Sequence, residues 1–315
     1  MQFEQFLLSM GLIPRHIEPG KWTRCPTQTH PRSSNGSYKL ADDYQVGWAI
    51  DFAVQSEPLM WRAENTDTQK IDYLSIAKRR KIAEIDRQGA SNKAAEYYMA
   101  CEPVRGSHPY LDSKNLTMTG CYGLKRDKSG DLVVPMLIGK KLSSLQKICM
   151  DGTKRFWPGA ATKGATYTIE RAGAPLTILC EGLATGLSLY ASIPTSRVVV
   201  AFSSGNLVPA CESIPRRGLA VVAADNDHQT ELRIGLNPGL RAANQAAELI
   251  GCGVAVPQCK GSDWNDFYNE RIDVLREAEL TKRRKKTFSD IAKEVDSEVR
   301  GFVLRHAKLR VMAIV

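Results

Sequence analysis

Short apolar runs that stop at carboxylates constrain this chain more than any other feature. Leu176-Thr-Ile-Leu179 leads through Cys180 into Glu181-Gly182, and Leu219 to Ala224 ends at Asp225-Asn226-Asp227. A strand apolar on both faces belongs inside a parallel sheet covered by helices. An acid immediately after such a strand stands at the carboxyl edge of the sheet, where open α/β folds place their ligands. Further runs at Arg197–Phe202 and Gly253–Val256, with helical spacing over Gly239–Ile250, make the region from Leu176 onward an α/β unit.

The remainder divides by pattern. Residues 1–65 read as a small β-rich appendage, with a short helix at Phe3–Met10, turns around Pro14, Pro19-Gly20 and Pro31–Gly36, and strands at Gly36–Leu40 and Val46–Phe52. Residues 66–105 form a helical basic segment, expected as two helices broken at Gln88-Gly89, the first carrying Lys78-Arg79-Arg80-Lys81. Residues 106–174 form a basic β-rich subdomain with strands at Leu132–Ile138 and Leu142–Ile148. The α/β unit occupies 175–272. A basic helical segment, 273–315, follows with Lys282-Arg-Arg-Lys-Lys286 and a helix near Ile291–Ala307.

At 315 residues and 43% hydrophobic composition the chain has room for more than one domain and is not a disordered tail. Its net charge of +9 favours a polyanionic partner, since each phosphate neutralised releases counterions and adds affinity independent of sequence. The eight cysteines are irregularly spaced with no CxxC pair, which reads as a reduced, cytoplasmic protein. No apolar run approaches the roughly 20 residues of a membrane span.

Glu181, Asp225, Asp227, Asp263 and Asp266 arrive from the ends of successive strands and can converge on one patch. Hard oxygen donors of this kind suit Mg²⁺ or Mn²⁺, and a carboxylate pair separated by one residue can hold an ion against a phosphate. The combination of strand-Glu-Gly, a helix, strand-Asp-Asn-Asp and Gly261-Ser-Asp-Trp-Asn-Asp-Phe267 resembles the Toprim domain of topoisomerases and primases. Within that superfamily, Glu181-Gly-Leu-Ala-Thr-Gly186 and Asp263-Trp-Asn-Asp266 look most like the primases of satellite phages and conjugative plasmids, and more distantly the DnaG-type primases.

The resemblance implies a Toprim-type parallel sheet flanked by helices and preceded by a primase-core subdomain. It makes Glu181 the general acid or base and Asp225 and Asp227 the metal carboxylates, with Asp263 or Asp266 positioning metal or nucleotide. DnaG-type primases carry another acid four residues after the glutamate, where this chain has Thr185, so the second metal's ligands stay open. His108-Pro-Tyr-Leu-Asp-Ser-Lys-Asn-Leu116 is similar to the start of the primase catalytic core. Leu145–Ile148 and Asp151–Phe156 resemble the basic segment before the Toprim domain, making Lys147, Lys154 and Arg155 candidates for template or nucleotide phosphates. The implied activity is RNA-primer synthesis on single-stranded DNA from nucleoside triphosphates, alongside a separate replicative helicase and no membrane. The alternatives are a Toprim nuclease or a catalytically decayed single-stranded-DNA-binding adaptor.

Several features are set aside. His228 beside Asp227 is a lone loop histidine. Cys25-Pro26 with His30 resembles half a zinc ribbon but lacks two further ligands, so residues 1–65 are expected to be a metal-free relative held by Trp22, Tyr38, Trp48 and Phe52. Gly159–Thr166 has P-loop glycine spacing without the lysine, and Ser203-Ser-Gly-Asn206 reads as an ordinary turn more readily than as a phosphate cradle.

Overall fold

The computed structural model describes residues 1–55, 57–63, 73–117, 119–215, 218–226, 232, 237–258, 263–271 and 288–310. Asp227 and the Lys282–Lys286 run lie outside them. The chain divides into two compact units, Met1–Ala83 with Gln229–Leu236, and Glu84–His228 with Asn237–Val315.

In the first unit, helix α1 (Phe3–Ser9) packs on an antiparallel meander of β1 (Thr23–Cys25), β2 (Gly36–Leu40), β3 (Val46–Asp51) and β4 (Leu59–Arg62). Its core is Phe3, Leu7, Leu12, Cys25, Tyr38, Leu40 and Ala49, with Trp61 against it. Of the four aromatics expected to hold this region, only Tyr38 is central; Trp22 and Phe52 are exposed and Trp48 is half-buried. Phe3 takes the central place instead, lying so close over Gly47 that a Cβ there would stand 2.2 Å from its ring. Cys25 is buried and its thiol is pushed up by desolvation, as befits a core residue.

Helix α2 (Tyr73–Ala100) is continuous, where the sequence predicted a break at Gln88-Gly89. Gly89 costs the helix about 1 kcal/mol relative to alanine, too little to end it when Gln88 donates to Asn92 one turn on at 2.8 Å. Its final turns lay Ala94, Tyr97 and Tyr98 on Val133, Leu145 and Trp157.

Those partners belong to an antiparallel sheet of β5 (Glu102–Pro103), β6 (Lys125–Arg126), β7 (Leu132–Ile138), β8 (Lys141–Ile148) and β9 (Lys154–Phe156), in that order. A short helix, α3 (Pro109–Ser113), precedes β6 and is capped by His108, whose Nδ1 accepts from the Tyr110 amide at 3.2 Å.

The second sheet runs β10 (Tyr167–Ile169), β12 (Ser196–Val200), β11 (Leu176–Cys180), β13 (Gly218–Ala223), β14 (Gly253–Ala255). Strands β11 to β14 are mutually parallel, while β10 pairs β12 and β15 (Lys308–Arg310) pairs β13 antiparallel. The sheet is therefore mixed at its margins rather than wholly parallel. Alternate residues go to opposite faces. Ile178, Cys180, Val198, Val200, Val221 and Ala223 face one core, and Leu179, Val199, Ala220 and Val222 face another. Both faces are covered, which explains the unbroken apolar runs.

Helix α4 (Leu183–Ser192) and the C-terminal helix (Phe288–His306) cover the first face; α5 (Leu207–Ala210) and α6 (Pro238–Ile250) cover the second. Gly186 allows α4 to lie close, since a Cβ there would stand 2.7 Å from Val200. Leu132, Val134, Met136 and Ile148 of the antiparallel sheet share the first core, so residues 106–174 and the α/β region pack as one body.

Candidate functional site

Because β11 lies between β12 and β13, the chain leaves β11 in one direction and returns on its other side. That reversal opens a crevice at the carboxyl ends of the parallel strands. Glu181 follows β11 directly, and Asp225 follows β13 after Ala224, so the two acids leave adjacent, in-register strands. A third acid comes from elsewhere in the chain. Residues 264–271 are helical, and Trp264, fully buried, donates Nε1–H to the Ala224 carbonyl at 3.1 Å. This bond pins the helix start to the end of β13 and delivers Asp263. Its Oδ1 accepts the amides of Asn265 and Asp266, each at 2.8 Å.

The electrostatics record this convergence. Burial, then the charges of Glu181 and Asp263, push the Asp225 carboxyl up to about 7, against the Thr185 hydroxyl and the charge of Lys154, which favour ionisation. Thr185 Oγ1–H donates to Asp225 Oδ1 at 3.4 Å. Thr185 thus supplies a neutral donor beside Asp225, where an acid would add a fourth like charge.

Asp266 does not join the cluster. It pairs with Lys114 at 3.3 Å, and the neighbouring Asn265 Nδ2 donates to the Lys114 carbonyl at 2.8 Å, tying this helix to the end of α3. Tyr110 on α3 is also near: its buried hydroxyl has no hydrogen-bond partner among the described residues, and burial with the charge of Asp263 pushes it up to about 12. Sequence reading named this Tyr-Leu stretch but not its approach to the acids.

The basic candidates part company. Lys147 and Arg155 are register partners and share one face of the β8–β9 pair; Ile148 and Lys154 share the other. On the first face, Lys147 sits between Asp127 at 2.7 Å and Asp131 at 3.3 Å and donates to the Tyr97 hydroxyl at 3.3 Å. These acceptors raise the Lys147 ammonium above its ordinary value, and the Lys147 ammonium and the Tyr97 hydroxyl, both donating to Asp127, hold its carboxyl below its own. Lys147 is thus committed within the subdomain rather than presented to a phosphate. Lys147→Met should cost about 3 kcal/mol by leaving Asp127 buried without its cation, read as a lowered urea midpoint with unchanged slope. Lys154, on the face shared with core residue Ile148, is the lysine whose charge reaches Asp225. Arg155 lies on the other side of β9 and is exposed.

Among the described residues, no group of three Asp, Glu, His or Cys side chains is arranged to hold an ion as it stands. The donor set still fits a hard divalent cation: Glu181, Asp225 and Asp263 are oxygen donors whose mutual repulsion a cation would relieve.

Beside Glu181, the end of β12 turns sharply. Phe202 takes φ of +71°, a left-handed conformation costly for a bulky residue, and its amide donates to the Glu181 carbonyl at 2.7 Å. The backbone carrying Glu181 is thereby held by two successive bonds from the end of β12, as Ala201 N–H also donates to the Cys180 carbonyl at 2.8 Å.

Residues 176–272 match the family model of the Toprim domain. This segment is a Toprim domain. Two curated relatives, both DNA primase TraC of Escherichia coli, resemble the chain beyond that segment. One is 25% identical over 274 residues, covering 79% of this chain and 25% of the relative; the other is 28% identical over 158 residues, covering 47% and 11%. The chain thus spans a quarter or less of the length of these relatives. Among solved structures, the DnaG primase catalytic domain bound to single-stranded DNA superposes with a TM-score of 0.41 at 11% identity, covering 73% of this chain and 96% of that one. Glu181, Asp225 and Asp263 all fall within the Toprim domain, whereas Lys154 precedes it. Among the described residues no helix is long and apolar enough to cross a membrane.

Proposed function

We propose that the chain is a DNA primase that joins ribonucleotides into short primers on single-stranded DNA, in plasmid or phage replication. The observation that carries this reading is the convergence of Glu181, Asp225 and Asp263 at the crevice of a Toprim domain, in a chain whose curated relatives are primases. Asp227 lies two residues beyond Asp225 and completes the proposed acid set by sequence. Nucleoside triphosphates and template are the substrates, and a separate replicative helicase is the expected partner.

Mg²⁺ or Mn²⁺ held by Glu181, Asp225, Asp227 and Asp263 would neutralise charge on the phosphate oxygens and favour ionisation of the attacking hydroxyl. The chain's own groups do the rest. Glu181, whose backbone carbonyl accepts the Phe202 amide, takes the proton of a 3′ hydroxyl in this reading. The new bond joins that oxygen to the α-phosphorus of the next nucleotide, and pyrophosphate leaves with the displaced bond's electrons. Thr185 fixes the orientation of Asp225. Lys154 offsets negative charge approaching from the β9 side. Lys154→Ala should lower the efficiency of synthesis roughly tenfold, with a shallower salt dependence, while leaving the melting temperature unchanged.

Primer synthesis on single-stranded DNA with labelled nucleotides, beside Glu181→Gln, tests the reading. Metal-dependent short products absent from the variant support it. Template cleavage without nucleotides would instead make the site a nuclease, and DNA binding with neither activity would make the chain an adaptor.

A further inference from the structure

Two glycine-bearing stretches with no role in the sequence reading, Gly159–Thr166 and Ser203–Asn206, meet in the structure. Asn206, buried to 7% exposure, joins them. Its Nδ2 donates to the carbonyls of Ala165 and Ala201, each at 2.8 Å, and its Oδ1 accepts the Gly164 amide at 2.7 Å. Both N–H donors of the amide are spent on this clamp, so Asn206 ties the two loops together at the edge of the space between them.

That space is a cavity of about 150 Å³ lined by Met136, Phe156, Thr162, Lys163, Phe202 and Ser203, among others. Its chemistry is uneven. Met136 and Phe202 supply apolar surface, Thr162 and Ser203 supply hydroxyls, and Lys163 supplies an exposed cation. Phe156, 43% exposed, presents an aromatic side chain at the cavity. Pockets that enclose a whole drug-sized ligand begin near 300 Å³, so only part of a nucleotide can enter. An aromatic wall selects the flat base over the phosphates, because base–aromatic stacking needs only a π-face.

The position relative to the acids is fixed by two links. Phe202 and Ser203 line the cavity, and the Phe202 amide holds the Glu181 carbonyl. Phe156 and Lys154 stand two residues apart on β9 and so share a face, with Lys154 reaching Asp225 electrostatically and Phe156 reaching the cavity.

We propose that this cavity receives the base of a nucleoside triphosphate whose phosphates lie at the acid cluster, with Phe156 as the stacking platform and Lys163 at the cavity wall. This rests on the primase reading above and names a binding subsite for its substrate.

The test uses the full chain, with ATP and GTP as nucleotide probes and oligothymidylate as the DNA probe. Phe156→Ala should raise the KM for nucleotide about tenfold while kcat stays within twofold and oligothymidylate affinity is unchanged. Phe156→Tyr should restore the KM, and Lys163→Ala should raise it several-fold. An unchanged KM, or a loss confined to oligothymidylate binding, would overturn the assignment, the latter placing a template base in the cavity. Titration calorimetry with ATP separates this from the reading beneath it. Phe156-dependent ATP binding in a protein that makes no primer would retain the cavity and remove the primase; primer synthesis indifferent to Phe156 would do the reverse.

Discussion

Asp225→Asn is expected to melt about 5 °C above the wild-type chain at pH 8 without divalent metal, and to lose roughly a thousandfold or more in primer synthesis. The two effects share a cause. Burial and the charges of Glu181 and Asp263 lift Asp225 from 3.8 to about 7. With about 1.4 kcal/mol per pKa unit, holding that carboxylate ionised costs the fold up to ~4 kcal/mol. Asparagine keeps the shape and removes the charge, recovering about half of this.

The sign follows from linkage. The native state binds its proton more tightly than the unfolded chain, so this contribution to stability is intact below pH 4 and is lost as pH rises through 7. The variant's advantage should therefore vanish towards pH 4 and be complete at pH 8. Magnesium should raise the wild-type melting temperature at pH 8 and do far less for the variant. Equal melting of the two proteins across this range, measured by calorimetry, would mean that the acids do not share a patch.

Trp264→Ala is expected to cost about 3–5 kcal/mol and to abolish synthesis although Trp264 touches no substrate. The indole is fully buried, meets Phe267 and Phe302 edge-on, and spends its N–H on the Ala224 carbonyl. Its removal opens a cavity and frees the helix start that presents Asp263. Trp264→Phe separates the two losses, since the ring fills most of the space and only the hydrogen bond goes, about 1 kcal/mol. Chemical denaturation reads the packing, and the metal concentration for half-maximal synthesis reads the placement of Asp263. A phenylalanine variant with wild-type metal dependence would show that packing alone positions that acid.

The α/β region was legible because its strands obey a strong rule. Runs apolar on both faces occur where helices cover both sides, and acids at their ends can go only to the carboxyl edge. Thus the chain alone puts Glu181 and Asp225 beyond the ends of β11 and β13, the positions they take in the fold. Asp263 and Asp266 could not be told apart, because helical geometry turns neighbouring acids in different directions and only Lys114 and Trp264 decide which faces inward. Lys147, Lys154 and Arg155 looked alike for a similar reason: strand alternation sends Lys154 one way and Arg155 the other, and the burial of Asp127 that claims Lys147 leaves no local sequence mark. At α2, one exposed glycine does not suffice to break the helix. In the first unit, bulk alone points to four core aromatics, but Trp22 and Phe52 fall just outside β1 and β3, in connecting segments, and stay exposed.

Strand β15 bears on how this sheet comes together in time. Lys308–Arg310 pair with Gly218–Ala220, while β14 takes Val221–Ala223 on the same side of β13. During synthesis, the amino-terminal half of the strand that leads to Asp225 must therefore wait for residues made some ninety positions later before its hydrogen-bonding groups are capped. A nascent chain in that interval presents an open edge to any other extended segment. Closure of this edge thus waits on a pairing of high sequence separation, the kind of contact that slows folding.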